Sequence, residues 1–170
     1  MKNESRQYKD DIKQNVQDNT THAAAVFDMQ EVLYSPNSDE SCLYYKRKLN
    51  SYNLTVYDYR NKQGYCNIWP ETEGMRGFNE VGSCVYRYLE NLQKEGIKKV
   101  TLFSDSCGGQ NRNKNFLSML WYARHKYDFD EIEHVFFVSG QSQNEGDSMH
   151  SVIEKASKTF PSTLLANGHR

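Results

Sequence analysis

The chain has 170 residues, a length typical of one domain with a buried core of its own. Hydrophobic residues make up 37% of it and charged residues 25%, which excludes an intrinsically disordered protein. The formal net charge of −1 gives no overall positive field for nucleic acid. No apolar run reaches membrane-spanning length, and residues 1–19 lack the apolar core of a signal peptide. We therefore expect a nuclear or cytoplasmic protein that has no membrane partner.

The first elements are a polar arm and a buried strand. Residues 1–22 offer almost no apolar face, so they predict a solvated helical arm or a disordered leader. The apolar run at residues 23–27 predicts a buried strand that ends in the carboxylate of Asp28. Residues 35–39 carry turn chemistry and predict a loop, and residues 42–49 fit a short helix.

A hairpin and a long helix come next. Alternating apolar residues predict strands at 52–59 and 65–69, joined by a turn at residues 61–64. Apolar residues at helical spacing predict a helix over about 77–94, and Gly96 lies just past its end as a cap.

The second half of the chain alternates strands and helices. Residues 98–105 predict a strand that ends in a second carboxylate, and residues 116–126 predict an amphipathic helix. Residues 133–139 predict another strand, and a helix is expected over about 147–158.

The element order predicts an α/β fold with a mixed five-stranded sheet and helices on both faces. The order also matches the ribonuclease H-like fold. We accordingly divide the chain into a polar N-terminal arm at 1–22, a ribonuclease H-like domain at 23–160 and a C-terminal tail at 161–170.

Acidic residues at the element ends are the candidate catalytic and metal-binding groups. Asp28 and Asp105 end two strands, and their carboxylates would emerge at one edge if those strands were neighbours. Asp147 begins the last helix, and His150 and Glu154 lie on the same helix face. Asp147 and Glu154 are rival candidates for a third acid.

Such carboxylates would hold two divalent cations, Mg²⁺ or Mn²⁺, about 3.5–4 Å apart across a phosphodiester. Glu80, in the first turn of the long helix, is a candidate fourth ligand. Each acid has a simpler alternative: Asp28 starting a turn, Asp105 capping a loop, Asp147 as an N-cap, and Glu80 as a helix-start charge.

The segment SDSCGGQNRNKN, residues 104–115, is the candidate nucleic-acid contact. Gly108 and Gly109 allow a tight turn and let backbone N–H groups approach a phosphate ahead of a helix N-terminus. Polar and basic donors follow: Gln110, Asn111, Arg112, Asn113 and Lys114. The alternative is a polar loop with a helix cap. Residues 44–48 are basic and aromatic and fit either a nucleic-acid contact or an amphipathic helix.

Several segments resemble an uncharacterised, transposon-derived domain of animal proteins that is similar to ribonuclease H-like transposases. They are FDMQ at 27–30, YYKRKLNSYNLTVYD at 44–58, RGFNEVGSC at 76–84, SDSCGGQNRN at 104–113 and GDSMHSVIEK at 146–155. The resemblance implies that Asp28, Asp105 and Asp147 form an acidic triad. Relatives carry a histidine at the position of Gln141, a difference from that pattern.

These observations predict a transposase-like domain that cleaves or transfers strands of nucleic acid, DNA rather than RNA, with a homo-oligomer as a candidate assembly. An alternative is a catalytically inactive domain that binds nucleic acid or protein, favoured by Gln141 and the net charge near zero. Another alternative is a resolvase- or exonuclease-like processing nuclease, favoured by the spacing of Asp147 and His150.

Overall fold

The structure, a computed structural model, describes residues 2–30, 32–35, 49–137 and 149–155. Its elements, in chain order, are α1 (Lys2–Asp18), β1 (His22–Met29), β2 (Leu33–Ser35), β3 (Leu49–Asp58), β4 (Gln63–Pro70), α2 (Phe78–Lys94), β5 (Lys99–Ser104), α3 (Lys114–Lys126), β6 (Glu131–Phe136) and α4 (149–155). Most of the predicted loop at 35–39 and of the predicted helix at 42–49 lies outside the described residues; at their ends, Ser35 belongs to β2 and Leu49 begins β3 instead.

β1 lies at the centre of a mixed sheet. It pairs antiparallel with β3 and parallel with β5, which in turn pairs parallel with β6. β4 pairs with one edge of β3, and β1 pairs with the opposite edge. The short β2 also pairs with that opposite edge, just beyond the end of β1. The six strands therefore occupy five positions, in the order β4-β3-β1-β5-β6. The predicted α/β fold with a mixed sheet is confirmed, and β2 is an addition that the sequence did not indicate.

Both faces of β1 are buried, which explains why its sequence is an apolar run without alternation. One face packs against α2 and α3, and the residues it contributes are Ala23, Ala25 and Phe27. The other face packs against α1 and contributes Ala24 and Val26. The prediction of helices on both faces of the sheet is confirmed.

The long helix α2 begins and ends as its sequence predicts. Gly77 is its N-cap, and Gly96 takes a φ of +79°, the left-handed conformation that glycine adopts at low cost. The Gly96 N–H donates to the carbonyl of Gln93 at 3.0 Å, and the Ile97 N–H to that of Leu92 at 3.1 Å. This Schellman pattern satisfies carbonyls that the helix end leaves open.

The N-terminal segment is helical, but it is not solvated along its whole length. Ile12 and Val16, one helical turn apart, are only 7% and 3% exposed and pack on the sheet. Lys9 is also buried, and its ammonium lies 5.1 Å from the centre of the Phe137 ring and 5.6 Å from that of Tyr59. A single apolar pair in a polar segment is too weak a pattern to predict this packing.

A buried ion pair joins the β3–β4 turn to the end of α2. The carboxylate of Asp58 is fully buried, and the Arg60 Nη2 atom lies 2.6 Å from its Oδ2 atom. The same guanidinium reaches Glu95, with 2.9 Å between Nη1 and Oε2. Arg60 therefore compensates a charge that would otherwise be costly to bury.

Candidate functional site

Asp28 and Asp105 stand at the same level of two neighbouring parallel strands. Val26 of β1 pairs with Phe103 of β5, so a step of two residues along each chain reaches Asp28 and Asp105. Asp28 lies within β1 and shares the face of Val26, the face covered by α1, whereas Asp105 is the first residue after β5. Neighbouring strands lie about 4.8 Å apart, which is close enough for two carboxylates to share a cation. The expectation that their strands are neighbours is confirmed.

The two carboxylates are held differently. Asp28 is half-buried, and its Oδ1 atom accepts a hydrogen bond from the Met29 N–H at 2.9 Å. Asp105 is exposed, and its Oδ1 atom accepts from Asn111 Nδ2 at 2.7 Å and from the Cys107 N–H at 3.4 Å. A side chain six residues further along the loop therefore orients Asp105.

Asn111 differs from its neighbours in the loop because it is buried, at 4% exposed. Its Oδ1 atom has no hydrogen-bond partner among the described residues. A buried amide that donates to Asp105 is placed to position that carboxylate. Its remaining oxygen is a free acceptor or ligand beside the same group.

The loop that follows β5 is closed by backbone hydrogen bonds to one carbonyl. The carbonyl oxygen of Cys107 accepts from three N–H groups, at 3.2, 3.0 and 3.0 Å; these belong to Gln110, Asn111 and Arg112. The Asn113 side chain caps α3 by accepting from the Phe116 N–H at 3.0 Å, and it donates to the Gly108 carbonyl at 3.1 Å. The sequence predicted, as an alternative, that this loop ends in a helix cap, and Asn113 is that cap.

Gly108 and Gly109 lie in a turn, as predicted, but the turn does not require glycine. Neither residue has a positive φ, and a Cβ on either would meet no described atom within 4 Å. The two glycines therefore leave the backbone uncovered by side chains a few residues before the N-terminus of α3. Arg112 and Lys114, both exposed, stand on the same loop and helix start.

His134 is a half-buried group that the sequence analysis missed. Its Nε2 atom lies 2.9 Å from Ser104 Oγ, and that hydroxyl donates to the carbonyl of Asp105 at 2.7 Å. A hydroxyl has one hydrogen, so His134 must be the donor in the first contact and carries its proton on Nε2. Burial lowers the pKa of His134 to about 4, so the ring is neutral near pH 7. The only signal in the sequence was a polar residue within the apolar run HVFFVS.

Glu80 caps the start of α2. Its Oε1 atom accepts from the Met75 N–H at 3.0 Å, and its Oε2 atom accepts from the Gly77 N–H at 3.2 Å. Burial acts to raise the pKa of Glu80, but backbone hydrogen bonds outweigh it and the pKa is lowered. α2 packs on the face of the sheet opposite Asp28. Glu80 thus fills the helix-start role that was the alternative to metal binding.

α4 is docked beside the end of β1 by buried polar groups. The carbonyl of His150 accepts from Gln30 Nε2 at 3.1 Å, and Asn53 Nδ2 donates to Gln30 Oε1 at 3.0 Å. Gln30 follows Asp28 by two residues, so α4 lies close to the candidate site. Glu154 is half-buried on this helix.

Three sequence predictions fall on residues outside the described ranges. They concern Asp147 as third acid, Gln141, and the basic stretch 44–48. The resolvase alternative depends on Asp147 and stays a prediction. Within the described ranges, no group of three or more His, Cys, Asp or Glu side chains is placed to hold a metal ion. No helix among the described residues is long and apolar enough to cross a membrane.

Comparisons with known proteins give no identification. No protein-family model, no curated protein and no solved structure matches the chain. The resemblance to transposon-derived domains therefore stays a prediction, and the proposals that follow depend on the geometry of the site.

Proposed function

We propose that the chain is a ribonuclease H-like domain of the transposase type that uses divalent cations to cleave or transfer strands of nucleic acid, DNA in preference to RNA. The proposal rests on the parallel pairing of β1 with β5, which brings Asp28 of β1 and Asp105, the residue after β5, to the same end of the sheet. The central position of β1, the order of the five strand positions and the helices on both faces support the same fold.

The donor set suits Mg²⁺ or Mn²⁺. Asp28 and Asp105 offer carboxylate oxygens, and Asn111 adds a buried amide oxygen that accepts no hydrogen bond from the described residues. Oxygen ligands of this kind are those that hard divalent cations prefer. A third carboxylate would come from Asp147 or Glu154, since α4 lies close to Asp28. The cations, when bound, activate the attacking oxygen and stabilise the leaving one.

The loop after β5 is the proposed contact for the nucleic-acid backbone. No side chain covers the backbone at Gly108 and Gly109, and the helix N-terminus just beyond favours an anion. Arg112 and Lys114 are exposed and would neutralise phosphates locally, which offsets the lack of an overall positive charge. Asn111 acts differently, because its buried side chain holds Asp105.

The test is Mn²⁺-dependent nicking of plasmid DNA by purified variants. Asp105→Asn and Asp28→Asn each keep the size of the side chain but remove the charge that holds a cation. We expect each to lower the nicking rate at least about 100-fold, because several kcal/mol of transition-state stabilisation depend on the cations. Asp128→Asn is the matched control, since Asp128 is 94% exposed and precedes β6, at the opposite end of the strands. Nicking by Asp105→Asn at the wild-type rate would refute the proposal.

A second candidate is a domain that binds nucleic acid without cleaving it. It is favoured by one observation: the described residues supply two aligned carboxylates rather than three. The two candidates differ in the same assay. DNA binding in a gel shift together with no nicking by wild-type protein in Mn²⁺ would support the inactive domain.

A further inference from the structure

A groove of about 500 Å³ runs between α3 and the edge strand β6. Its lining is mostly apolar and aromatic, and its principal members are Phe116, Leu117, Leu120, Trp121, Ile132 and Phe136. Leu117 is 68% exposed and Trp121 is 64% exposed, so two large apolar side chains stand open to solvent at this groove. Apolar residues gathered at one open groove mark a surface that buries itself against a partner.

Among the described residues, no strand pairs with the outer edge of β6 beside this groove. Within the described residues β6 pairs only with β5. The Phe137 N–H donates to the Ser104 carbonyl at 2.8 Å, so the backbone groups of Phe137 point toward β5. Because the direction of these groups alternates along a strand, those of every second residue of β6 point away from β5. Those outward groups belong to Ile132, His134 and Phe136, whose side chains also line the groove. An added strand would therefore meet open backbone and apolar side chains together.

The rim of the groove is positively charged. Arg112 and Lys114 lie at one end, and Arg124 lies near the other. The last turn of α3 adds His125 and Lys126 outside the groove. A second copy of the chain would bring these like charges together, whereas an acidic partner would neutralise them.

We propose that this groove binds an extended, acidic peptide segment of a partner protein. The segment adds as a strand to the open edge of β6, inserts an apolar side chain between α3 and β6, and places its carboxylates near Arg112, Lys114 and Arg124. Open backbone groups along a strand favour a peptide over nucleic acid, which has no matching ladder of donors and acceptors. The interaction requires no cation, but it uses Arg112 and Lys114, so the peptide would compete with nucleic acid for these two side chains.

The test uses a synthetic hexapeptide that alternates glutamate with apolar residues, Glu-Phe-Glu-Val-Glu-Leu, capped at both ends. Trp121 lines the groove while Trp69 is 9% exposed in the core, so a shift of tryptophan emission on titration reports burial of Trp121. We expect saturable binding that survives chelation of divalent cations. A peptide with lysine in place of each glutamate should bind at least about ten-fold more weakly, because it meets like charges at the rim.

Two further comparisons make the proposal specific. Lys114→Glu should weaken binding of the acidic peptide by about three- to ten-fold, and a glutamate at a helix start does not endanger the fold. Lys94→Glu, an equally simple charge reversal at an exposed site on α2, should leave binding unchanged. Two further peptides carry N-methyl groups on either the odd-numbered or the even-numbered amides. The peptide whose methylated amides face β6 should not bind, and the other should bind as the unmethylated peptide does.

Three results would overturn the proposal. One is the absence of any emission change at millimolar acidic peptide. Another is equal binding of the lysine peptide. The third is saturable binding of hexathymidylate, but not of the acidic peptide, which would assign the groove to nucleic acid instead.

Discussion

The half-buried His134 should make the stability of the domain depend on pH. In the folded protein burial lowers the pKa of His134 from 6.5 to about 4. Above pH 6.5 the ring is neutral in both the folded and the unfolded chain. As the pH falls from 6.5 to 4, the unfolded chain takes up a proton that the folded chain refuses, so the free energy of unfolding falls.

The pKa difference corresponds to about 3 kcal/mol of unfolding free energy, a large part of the stability of a domain this size. His134→Gln removes the titration and keeps an N–H that can donate to Ser104 Oγ. Urea denaturation, followed by the emission of the buried Trp69, would give the free energy of unfolding of both proteins at intervals between pH 7.5 and 4.

The wild-type protein should lose about 3 kcal/mol relative to His134→Gln over this range, since the carboxylates common to both cancel. Parallel pH profiles for the two proteins would refute the reasoning. An NMR titration of the His134 ring with a midpoint above pH 6 would refute it as well, because the ring would then ionise freely in the fold.

Further predictions concern the groups that hold the fold around the site. Glu80→Ala should cost about 1 kcal/mol in urea denaturation, because two N–H groups at the start of α2 lose their acceptor; no loss would contradict the capping role. Arg60→Ala should cost about 3–5 kcal/mol by leaving the buried Asp58 unpaired, and adding Asp58→Asn should restore part of that loss. Gly108→Ala should leave stability unchanged or raise it by about 0.4–1 kcal/mol, yet weaken DNA binding in a gel shift; unfolding of that variant would show that the turn does require glycine.

The sequence predicted the central strands well because their signals are local. A run of apolar residues followed by a carboxylate marks both β1 and β5, and the structure places these strands side by side. α2 was equally clear, since its periodic apolar residues and Gly96 define both the buried face and the end. The alignment of Asp28 with Asp105 is the part of the candidate site that could be anticipated.

The remainder depends on contacts between distant segments, which one sequence does not show. The packing of α1 rests on Ile12 and Val16, and their burial is set by the sheet below them. The carboxylate of Glu80 accepts hydrogen bonds from backbone N–H groups close to it in the chain. The sequence alone does not show whether such a carboxylate caps its helix or binds a metal ion. His134 looks like one residue of a strand until Ser104 is placed beside it.

The most direct test of the central claim is a calorimetric titration of the protein with Mn²⁺. We predict binding at millimolar or lower Mn²⁺ that disappears in Asp28→Asn and in Asp105→Asn and persists in Asp128→Asn. Binding that is unchanged in either of the first two variants, or absent from the wild-type protein, would contradict a shared cation site at these two strand ends.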